Sequence, residues 1–285
     1  MTSRPTVTPG PTDPTLPSVA VIVPTRNAQR TIVPCLSALR AQTHLCAVVL
    51  VDNHSSDQTL FLAAPLADRV LVLGPERSAQ RNAGAAAVTA DVVGFVDADM
   101  LAGPAVVEQA TRAIAGGAVA VIVPERTVGR GFWASVRTFE RSFYVGADGV
   151  EAARFFRRDV FQRVGGFDPN LDAGEDWDLT IRVRRVGRVA RIDAMIDHDE
   201  GCVSYVAHCR KKAGYAAGVL MFARKHGRAG LRQAAGRPYM RRPWRLLYPH
   251  PILGLGVVAL KVGEAVAMAT ALTAKGLRRR HGQRR

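Results

Sequence analysis

Short apolar runs that each end in a polar cluster constrain the fold of this chain more than any other feature. They are Val19–Val23, Ala47–Val51 and Val92–Val96. Continuous runs rich in β-branched residues are typical of strands buried on both faces of a parallel sheet. Segments with helical periodicity separate the runs. This alternation predicts a doubly wound α/β domain, in which the carboxyl ends of the strands share one edge of the sheet.

Polar residues follow each predicted strand. They are Thr25-Arg26-Asn27, Asp52-Asn53 and Asp97-Ala98-Asp99. Ligands of open α/β sheets bind outside the carboxyl ends of the strands, so we expect these clusters to share one site. Asp97 and Asp99 are two residues apart and can face the same point, where paired carboxylates would suit Mg²⁺ or Mn²⁺. The alternative is that both residues only end the strand and begin a turn.

Three further positions have both a structural and a functional interpretation. Glu175 and Asp176 open a predicted helix, where acids stabilise the helix dipole or can act as a general base. His198 follows a predicted strand and is either a surface residue or an added metal ligand. Arg81 begins a predicted helix and either faces solvent or contacts a phosphate or nucleotide.

Charge is distributed unevenly along the 285 residues, whose formal net charge is +15. Residues 201–285 contain 18 Lys and Arg and one acid, 18 − 1 = +17, whereas residues 1–200 contain 21 bases and 23 acids, 21 − 23 = −2. Basic segments bind anionic surfaces, either lipid headgroups or nucleic acid. No nucleic-acid-binding motif is present, so the composition favours a membrane surface.

An apolar segment, Ile252–Ala274, is long enough to span a bilayer. Lys261 and Glu264 interrupt it, however, and charges are costly at the centre of a bilayer. A helix that lies in the membrane interface or pairs with another helix is therefore favoured over a simple span. A helical hairpin packed on a soluble domain is the alternative.

The four cysteines have no metal-binding spacing, which predicts reduced thiols.

Six ordered motifs between about Val19 and Gly201 resemble family 2 glycosyltransferases of the GT-A fold. They are Val21-Ile22-Val23-Pro24-Thr25-Arg26-Asn27, Val51-Asp52-Asn53-His54-Ser55-Ser56-Asp57, Gln80-Arg81-Asn82-Ala83-Gly84, Asp97-Ala98-Asp99, Gly165-Gly166-Phe167-Asp168 and Gly174-Glu175-Asp176-Trp177-Asp178-Leu179. The resemblance implies an α/β, Rossmann-like fold with a central mixed sheet flanked by helices and a C-terminal helical appendage. It also implies a GT-A domain over 18–204, with a nucleotide-binding half (18–100) and an acceptor-side half (101–204). The Pro- and Thr-rich composition of residues 1–17 predicts a disordered lead-in, and the charge and apolar length of residues 205–285 predict a basic helical, membrane-associated segment.

Roles for individual residues follow from the same resemblance. Asp97 and Asp99 match the D-x-D motif that holds Mg²⁺ or Mn²⁺ against the diphosphate of a nucleotide-sugar, and His198 matches a late metal-site histidine. Asp176 matches the catalytic base. The residues assigned to the nucleotide-sugar are Pro24, Thr25, Arg26, Asn27, Asp52, Asn53, Arg81, Asp97, Ala98 and Glu175.

These assignments predict a metal-dependent, inverting glycosyltransferase that uses a UDP-, GDP- or dTDP-linked sugar. The acceptor would be a hydroxyl of a glycan or a lipid-linked molecule in cell-envelope polysaccharide biosynthesis, at the cytoplasmic face of the membrane. The Q-x-x-R-W motif of processive synthases is absent, which favours single addition. The alternatives are a sugar-nucleotide nucleotidyltransferase, a non-catalytic nucleotide-sugar or membrane-binding protein, and a purely cytoplasmic location.

Overall fold

A computed structural model describes residues 15–147 and 149–282, so most of the predicted lead-in lies outside the described residues. The chain forms two compact units. The first contains the chain up to Glu125, Ala152–Asp168 and Leu179–Asp199, and the second contains Arg126–Glu151, Pro169–Asp178 and the chain from Glu200. The predicted domain limits at residues 18, 100 and 204 stay a prediction.

Strands and helices alternate along most of the chain. In order they are β1 Val19–Thr25, α1 Ile32–Arg40, β2 Ala47–Asp52, α2 Thr59–Ala63, β3 Arg69–Val72, α3 Arg77–Ala86, β4 Val92–Phe95, β5 Met100–Ala102, α4 Val106–Ala115, β6 Ala120–Ile122, β7 Glu125–Arg130, α5 Phe132–Ser142, β8 Ala153–Arg157, α6 Arg158–Arg163, α7 Glu175–Arg184, β9 Val189–Arg191, β10 Ile196–Cys202, α8 Tyr205–Gly214, α9 Ala216–Ala235 and α10 Pro251–Gly282.

The first unit is built on a seven-stranded mixed sheet with the order β3-β2-β1-β4-β8-β6-β9. The strands β1 to β4 are parallel to one another, whereas β8 runs antiparallel to both β4 and β6. All seven residues of β1 are buried. Successive side chains of a strand point to opposite faces, and accordingly Val21 and Ile22 belong to two separate hydrophobic cores. The predicted α/β fold with a central mixed sheet flanked by helices is confirmed.

Helices on the two faces complete these cores. Ile32 and Leu36 of α1 pack in the core that contains Val21, whereas Val160 of α6 and Leu179 of α7 pack in the core that contains Ile22. The apolar stripe predicted for α1 is therefore buried. Both faces of the sheet are covered, which leaves the loops at the strand ends as the accessible part of this unit.

Three predicted elements have different limits in the structure. The sequence pattern over 129–144 predicts a helix, but α5 begins only at Phe132, because Gly129 and Arg130 end β7 and Gly131 adopts a φ of 87°. The pattern over 189–196 predicts one strand, whereas the structure has two, β9 and β10, and His198 lies inside β10 rather than after it. The pattern over 205–222 predicts one amphipathic helix, which the structure divides into α8 and α9 at Tyr215.

The second unit is mainly helical, and α10 packs against both α5 and α8. Its hydrophobic core contains Val136, Tyr239, Leu246, Val257 and Leu260. Among the described residues, one helix segment, Pro251–Ala274, is long and apolar enough to cross a membrane by length and composition.

Candidate functional site

The carboxyl ends of β1 and β2 bring two of the predicted nucleotide-binding residues together. Thr25 and Asp52 are paired in register on these adjacent parallel strands. Asp52 is fully buried, and Thr25 is 4% exposed. The Thr25 hydroxyl is buried and has no hydrogen-bond partner within the described part of the chain. A buried, unpaired hydroxyl at a strand end is suited to meeting a ligand, because leaving it unpaired costs free energy.

The loops after β1 and β2 are joined by hydrogen bonds. The Asn27 backbone N–H donates to Ser55 Oγ at 2.8 Å, and the Ser56 N–H donates to Asn27 Oδ1 at 2.8 Å. The Ser55 N–H also donates to Asp52 Oδ2 at 2.8 Å. Asn27 has a φ of 49°, a left-handed conformation that asparagine tolerates better than most residues. These bonds fix the conformation of the two loops. Arg26, in the loop after β1, is exposed.

Two amide side chains of α3, which the sequence analysis did not single out, brace this edge of the sheet. Gln80 is 2% exposed, and its Nε2 donates to Val51 O at 2.6 Å and to Thr25 O at 3.3 Å. Asn82 Nδ2 donates to Phe167 O at 2.8 Å, and the Phe167 N–H donates to Asn82 Oδ1 at 2.9 Å. Their position on either side of Arg81 in one motif was the available sequence signal.

Arg81 connects α3 to Asp97, the first of the two aspartates that follow β4. Its Nη2 lies 2.7 Å from Asp97 Oδ1, its side chain is 1% exposed, and its guanidinium lies 5.0 Å from the centre of the Phe167 ring. A second cation, Arg154 of β8, has its Nη1 3.9 Å from Asp97 Oδ2. Burial by itself would raise the pKa of Asp97, but the two guanidinium groups outweigh it and hold the pKa well below its ordinary value.

The second aspartate of the motif lies beside the predicted metal-site histidine. Because β10 pairs antiparallel with β5, His198 is in register with Met100, one residue after Asp99. His198 Nε2 lies 3.2 Å from Asp99 Oδ2. Glu125 completes the chain of contacts, since its Oε1 lies 2.5 Å from Arg154 Nη2 and its Oε2 lies 3.9 Å from His198 Nδ1. Sequence analysis missed both Glu125 and Arg154, which lie far from the motif in sequence.

The donors present fit a divalent metal that is shared with a substrate. No group of three His, Cys, Asp or Glu side chains is arranged to hold a metal ion among the residues that the structure describes. The pair formed by Asp99 and His198 nevertheless offers one carboxylate and one imidazole. Mg²⁺ is commonly bound by one or two protein carboxylates, with phosphate oxygens and water as its other ligands.

The second unit carries the predicted catalytic acids at the start of α7. Glu175 is 5% exposed, and Asp176 is partly exposed. Gly174, just before them, has a φ of 79°, and a Cβ there would lie 3.0 Å from the Phe222 ring. The turn therefore requires glycine, both for its conformation and for the close approach of α9.

Helix α9 holds this turn through side chains that the sequence analysis did not identify. Asp178 is fully buried, and its Oδ1 lies 2.8 Å from His226 Nε2 and 2.9 Å from Lys225 Nζ. The Trp177 and Phe222 rings are 5.6 Å apart between centroids, and Trp177 Nε1 donates to Val150 O at 2.8 Å. The first turn of α7 is thus anchored on both sides of Trp177.

A model of the family described as "Glycosyl transferase family 2" matches residues 20–165, which is more than half of the chain. The chain belongs to glycosyl transferase family 2. This match confirms the predicted family and, at the level of the family, the predicted enzyme class.

Relatives and solved structures agree with the family 2 assignment. The pre-mycofactocin glycosyltransferases of two Mycobacterium tuberculosis strains are 29% identical over 216 residues, 66% of this chain and 44% of theirs. The chain therefore spans less than half the length of the curated relatives it matches. The mannosyltransferase PcManGT from Pyrobaculum calidifontis, solved with GDP-Man and Mn²⁺, has a TM-score of 0.53 at 21% identity over 94% of this chain and 76% of its own.

A second solved structure has the same fold. S. aureus TarS, in a fragment solved with UDP-GlcNAc, has a TM-score of 0.51 at 17% identity over 91% of this chain and 92% of that chain. At this level of identity, the two structures establish the fold of this family 2 chain and nothing finer.

One cleft of the first unit lies at the other edge of the sheet from the candidate site. It has a volume of about 450 Å³ and is lined by Asp91 and Val92 at the start of β4 and by Arg157 and Arg158 at the end of β8. The residues of the candidate site follow the carboxyl ends of the parallel strands instead, so this cleft does not contain them.

Proposed function

We propose that this chain is a metal-dependent, inverting glycosyltransferase that moves one sugar from a nucleotide-sugar to an acceptor hydroxyl. The observation that carries the proposal is the distance of 3.2 Å between His198 Nε2 and Asp99 Oδ2. Asp99 lies in the short segment between β4 and β5, and His198 lies on β10. A UDP-, GDP- or dTDP-linked sugar is the proposed donor. The names of the solved structures with GDP-Man and Mn²⁺ and with UDP-GlcNAc support a donor of this class.

Each proposed role uses a property of the side chain concerned. Asp52 and Thr25 would receive the nucleoside, because they offer a buried carboxylate and a buried, unpaired hydroxyl at adjacent strand ends. Pro24, Arg26, Asn27 and Asn53 would form the walls of the same pocket. Asp99 and His198 would hold Mg²⁺ or Mn²⁺, which supplies positive charge against the leaving diphosphate.

Asp97 would have a role different from that of Asp99. Its Oδ1 is already engaged by Arg81, so Asp97, with Ala98, is proposed to contact the ribose or a metal-bound water rather than to be the main metal ligand. Asp176 would take the proton of the acceptor hydroxyl as general base, and Glu175 would contact the sugar. One base and one leaving group on opposite sides of the anomeric carbon give inversion.

Donor hydrolysis tests the proposal without knowledge of the acceptor. The purified chain is incubated with UDP-, GDP- and dTDP-sugars and Mn²⁺, and release of the free nucleotide is measured. We expect slow hydrolysis of one nucleotide class, abolished by EDTA and restored by Mn²⁺. Binding of a nucleotide-sugar without any turnover would instead support a non-catalytic binding protein, and release of pyrophosphate from a nucleoside triphosphate and a sugar phosphate would support a nucleotidyltransferase.

We further propose that the enzyme works at the cytoplasmic face of a membrane, on a glycan or lipid-linked acceptor. The support is the net charge of +17 over residues 201–285 together with the apolar segment Pro251–Ala274. The name of the mycobacterial relatives adds pre-mycofactocin to the acceptors to be tested.

A further inference from the structure

Within Pro251–Ala274, helix α10 turns the charged residue Glu264 inward and a row of large apolar side chains outward. Glu264 is 7% exposed, and Leu260 and Val257 beside it are buried. Ile252 and Leu255, by contrast, are 71% and 62% exposed. A helix of a soluble domain normally shows the opposite pattern, with an apolar face inward and a polar face outward.

The exposed residues form one continuous stripe. They are Ile252, Leu255, Val258, Val262 and Val266. With 3.6 residues per turn, these positions fall within a sector of about 120° around the helix axis. Val257, Leu260 and Glu264 lie on the opposite side. The stripe is therefore an apolar face about four turns long, with no described partner inside the second unit.

The two charged residues of α10 between Pro251 and Ala274, Lys261 and Glu264, form ion pairs with each other and with neighbouring helices. Lys261 Nζ lies 2.7 Å from Glu140 Oε1 of α5 and 2.9 Å from Glu264 Oε2. Glu264 Oε1 also lies 2.8 Å from His208 Nε2 of α8. Because these charges have partners inside the protein, they impose no cost on placing the opposite face of the helix in lipid.

These contacts also exclude a transmembrane course for α10. Gly256 lies against Val136 of α5, and Gly263 lies against Tyr205 of α8, so that the helix is packed on protein through Glu264. The ten residues from Ala265 to Ala274 that remain span about 15 Å, half of the hydrocarbon thickness of a bilayer. A span that included the earlier part would draw the exposed Arg210 and Lys211 of α8 toward the bilayer core.

Side chains just before α10 suit the headgroup region. Trp244 and Tyr248 are 60% and 73% exposed, and the Arg245 guanidinium lies 6.0 Å from the Trp244 ring centre. Arg242 is exposed as well. Aromatic residues next to arginine are typical of the boundary between lipid headgroups and acyl chains, and the positive charge selects an anionic leaflet.

We propose that α10 lies flat in one anionic leaflet, with the stripe from Ile252 to Val266 in the upper acyl region and the face of Lys261 and Glu264 turned to the protein. This inference rests on the proposed membrane attachment and specifies its geometry. It defines a monotopic enzyme whose membrane-binding surface is one side of one helix.

Flotation of the full chain with vesicles tests the surface. With vesicles of 30% phosphatidylglycerol in phosphatidylcholine, we expect the protein to float, and we expect Leu255→Glu to lower the bound fraction about tenfold. Leu45→Glu is the matched control, because Leu45 is a 46% exposed leucine of the first unit. Equal loss in both variants, or conversion of a dimer to a monomer by Leu255→Glu without any lipid binding, would overturn the proposal.

Depth measurement tests the orientation. In a Cys202→Ser background, in which the three remaining cysteines are buried, Leu255→Cys and Val266→Cys are labelled with an environment-sensitive fluorophore. A flat helix gives both labels the same shallow depth by quenching with spin-labelled lipids. A spanning helix would separate them by up to about 16 Å and overturn the flat orientation alone. Absence of flotation by the parent chain would overturn membrane attachment itself, while donor hydrolysis would still report on the enzyme.

Discussion

Arg81 Nη2 lies 2.7 Å from Asp97 Oδ1, and the arginine side chain is 1% exposed. Asp97 is therefore paired with a buried arginine, whereas Asp99 contacts His198 instead. The two aspartates have different surroundings although they are only two residues apart. Substitutions of Asp97 and Asp99 are therefore expected to impair different properties of the protein.

Replacement of Asp97 by Asn is expected to lower the free energy of unfolding by about 3 kcal/mol, because the buried Arg81 guanidinium would lose the carboxylate that lies 2.7 Å from its Nη2. Asp99→Asn is expected to leave stability within about 1 kcal/mol and to raise the Mn²⁺ concentration needed for donor hydrolysis about 10- to 100-fold. Urea unfolding and Mn²⁺ titration measure the two effects. Identical stability losses in both variants would contradict the assignment.

The base assignment is tested by Asp176→Asn. Removal of a general base is expected to slow transfer about 10²- to 10⁴-fold, while the donor still binds because the substituted group acts on the acceptor. Single-turnover transfer and donor affinity by thermal shift give the two readouts. Asp193→Asn, at an exposed turn, is the matched control. Transfer at the parental rate in Asp176→Asn would remove this residue from the mechanism.

His226 is expected to act as a positioning residue through Asp178. In His226→Ala, the buried Asp178 carboxylate would lose the imidazole that lies 2.8 Å from its Oδ1, and we expect a loss of about 2 kcal/mol of unfolding free energy. Transfer should fall while the Mn²⁺ requirement stays unchanged. A double-mutant cycle with Asp178→Asn measures the coupling, and Arg228→Ala on the same helix is the control. Additive effects would show that the two side chains act independently.

Acid is expected to destabilise the second unit through Glu264. Burial would raise the pKa of this carboxyl, but the hydrogen bond with His208 and the charge of Lys261 outweigh it and lower the pKa to about 2. A lowered pKa stabilises the fold above the ordinary value of 4.5, and this contribution is lost as the pH falls from about 4.5 toward 2. Its size is about 3 kcal/mol.

Unfolding free energies from pH 7 to pH 2.5 measure this loss. Glu264→Gln should be less stable at pH 7 and should show a shallower decline below pH 4.5, since it has no carboxyl to protonate. Glu76→Gln, at an exposed position, should follow the parent chain. A Glu264→Gln profile parallel to that of the parent would show that this carboxyl does not contribute to acid sensitivity.

Strands β1, β2 and β4 could be predicted from sequence because they are buried on both faces. Burial on both faces requires a continuous apolar run, and β1 and β4 are such runs. Strand β10 could not be recognised in the same way. Its sequence, IDHDEGC, is only partly buried after Ile196, so the apolar signal is missing although the strand carries His198.

The residues of the candidate site could be predicted where one motif contains them, and not where the fold assembles them. Asp97, Asp99 and Asp176 each belong to a short motif. Arg154 lies on β8 of the seven-stranded sheet, whereas Glu125 lies on β7 of a separate three-stranded sheet with the order β5-β10-β7. Their pairing therefore follows only from the tertiary fold. Similarly, the sequence indicated an apolar helix over 252–274, but the face that packs on protein followed from contacts with α5 and α8.

The second unit is formed by three separate stretches of the chain, of which the last begins at Glu200. Phe222 and His226 from that stretch pack against the turn that carries Asp176. The C-terminal region therefore cannot be removed without affecting the rest of the second unit. A C-terminal truncation made to improve solubility would remove the residues that support the turn carrying Asp176. A water-soluble variant should instead be made at full length, by substituting polar residues for the exposed apolar residues of the α10 stripe.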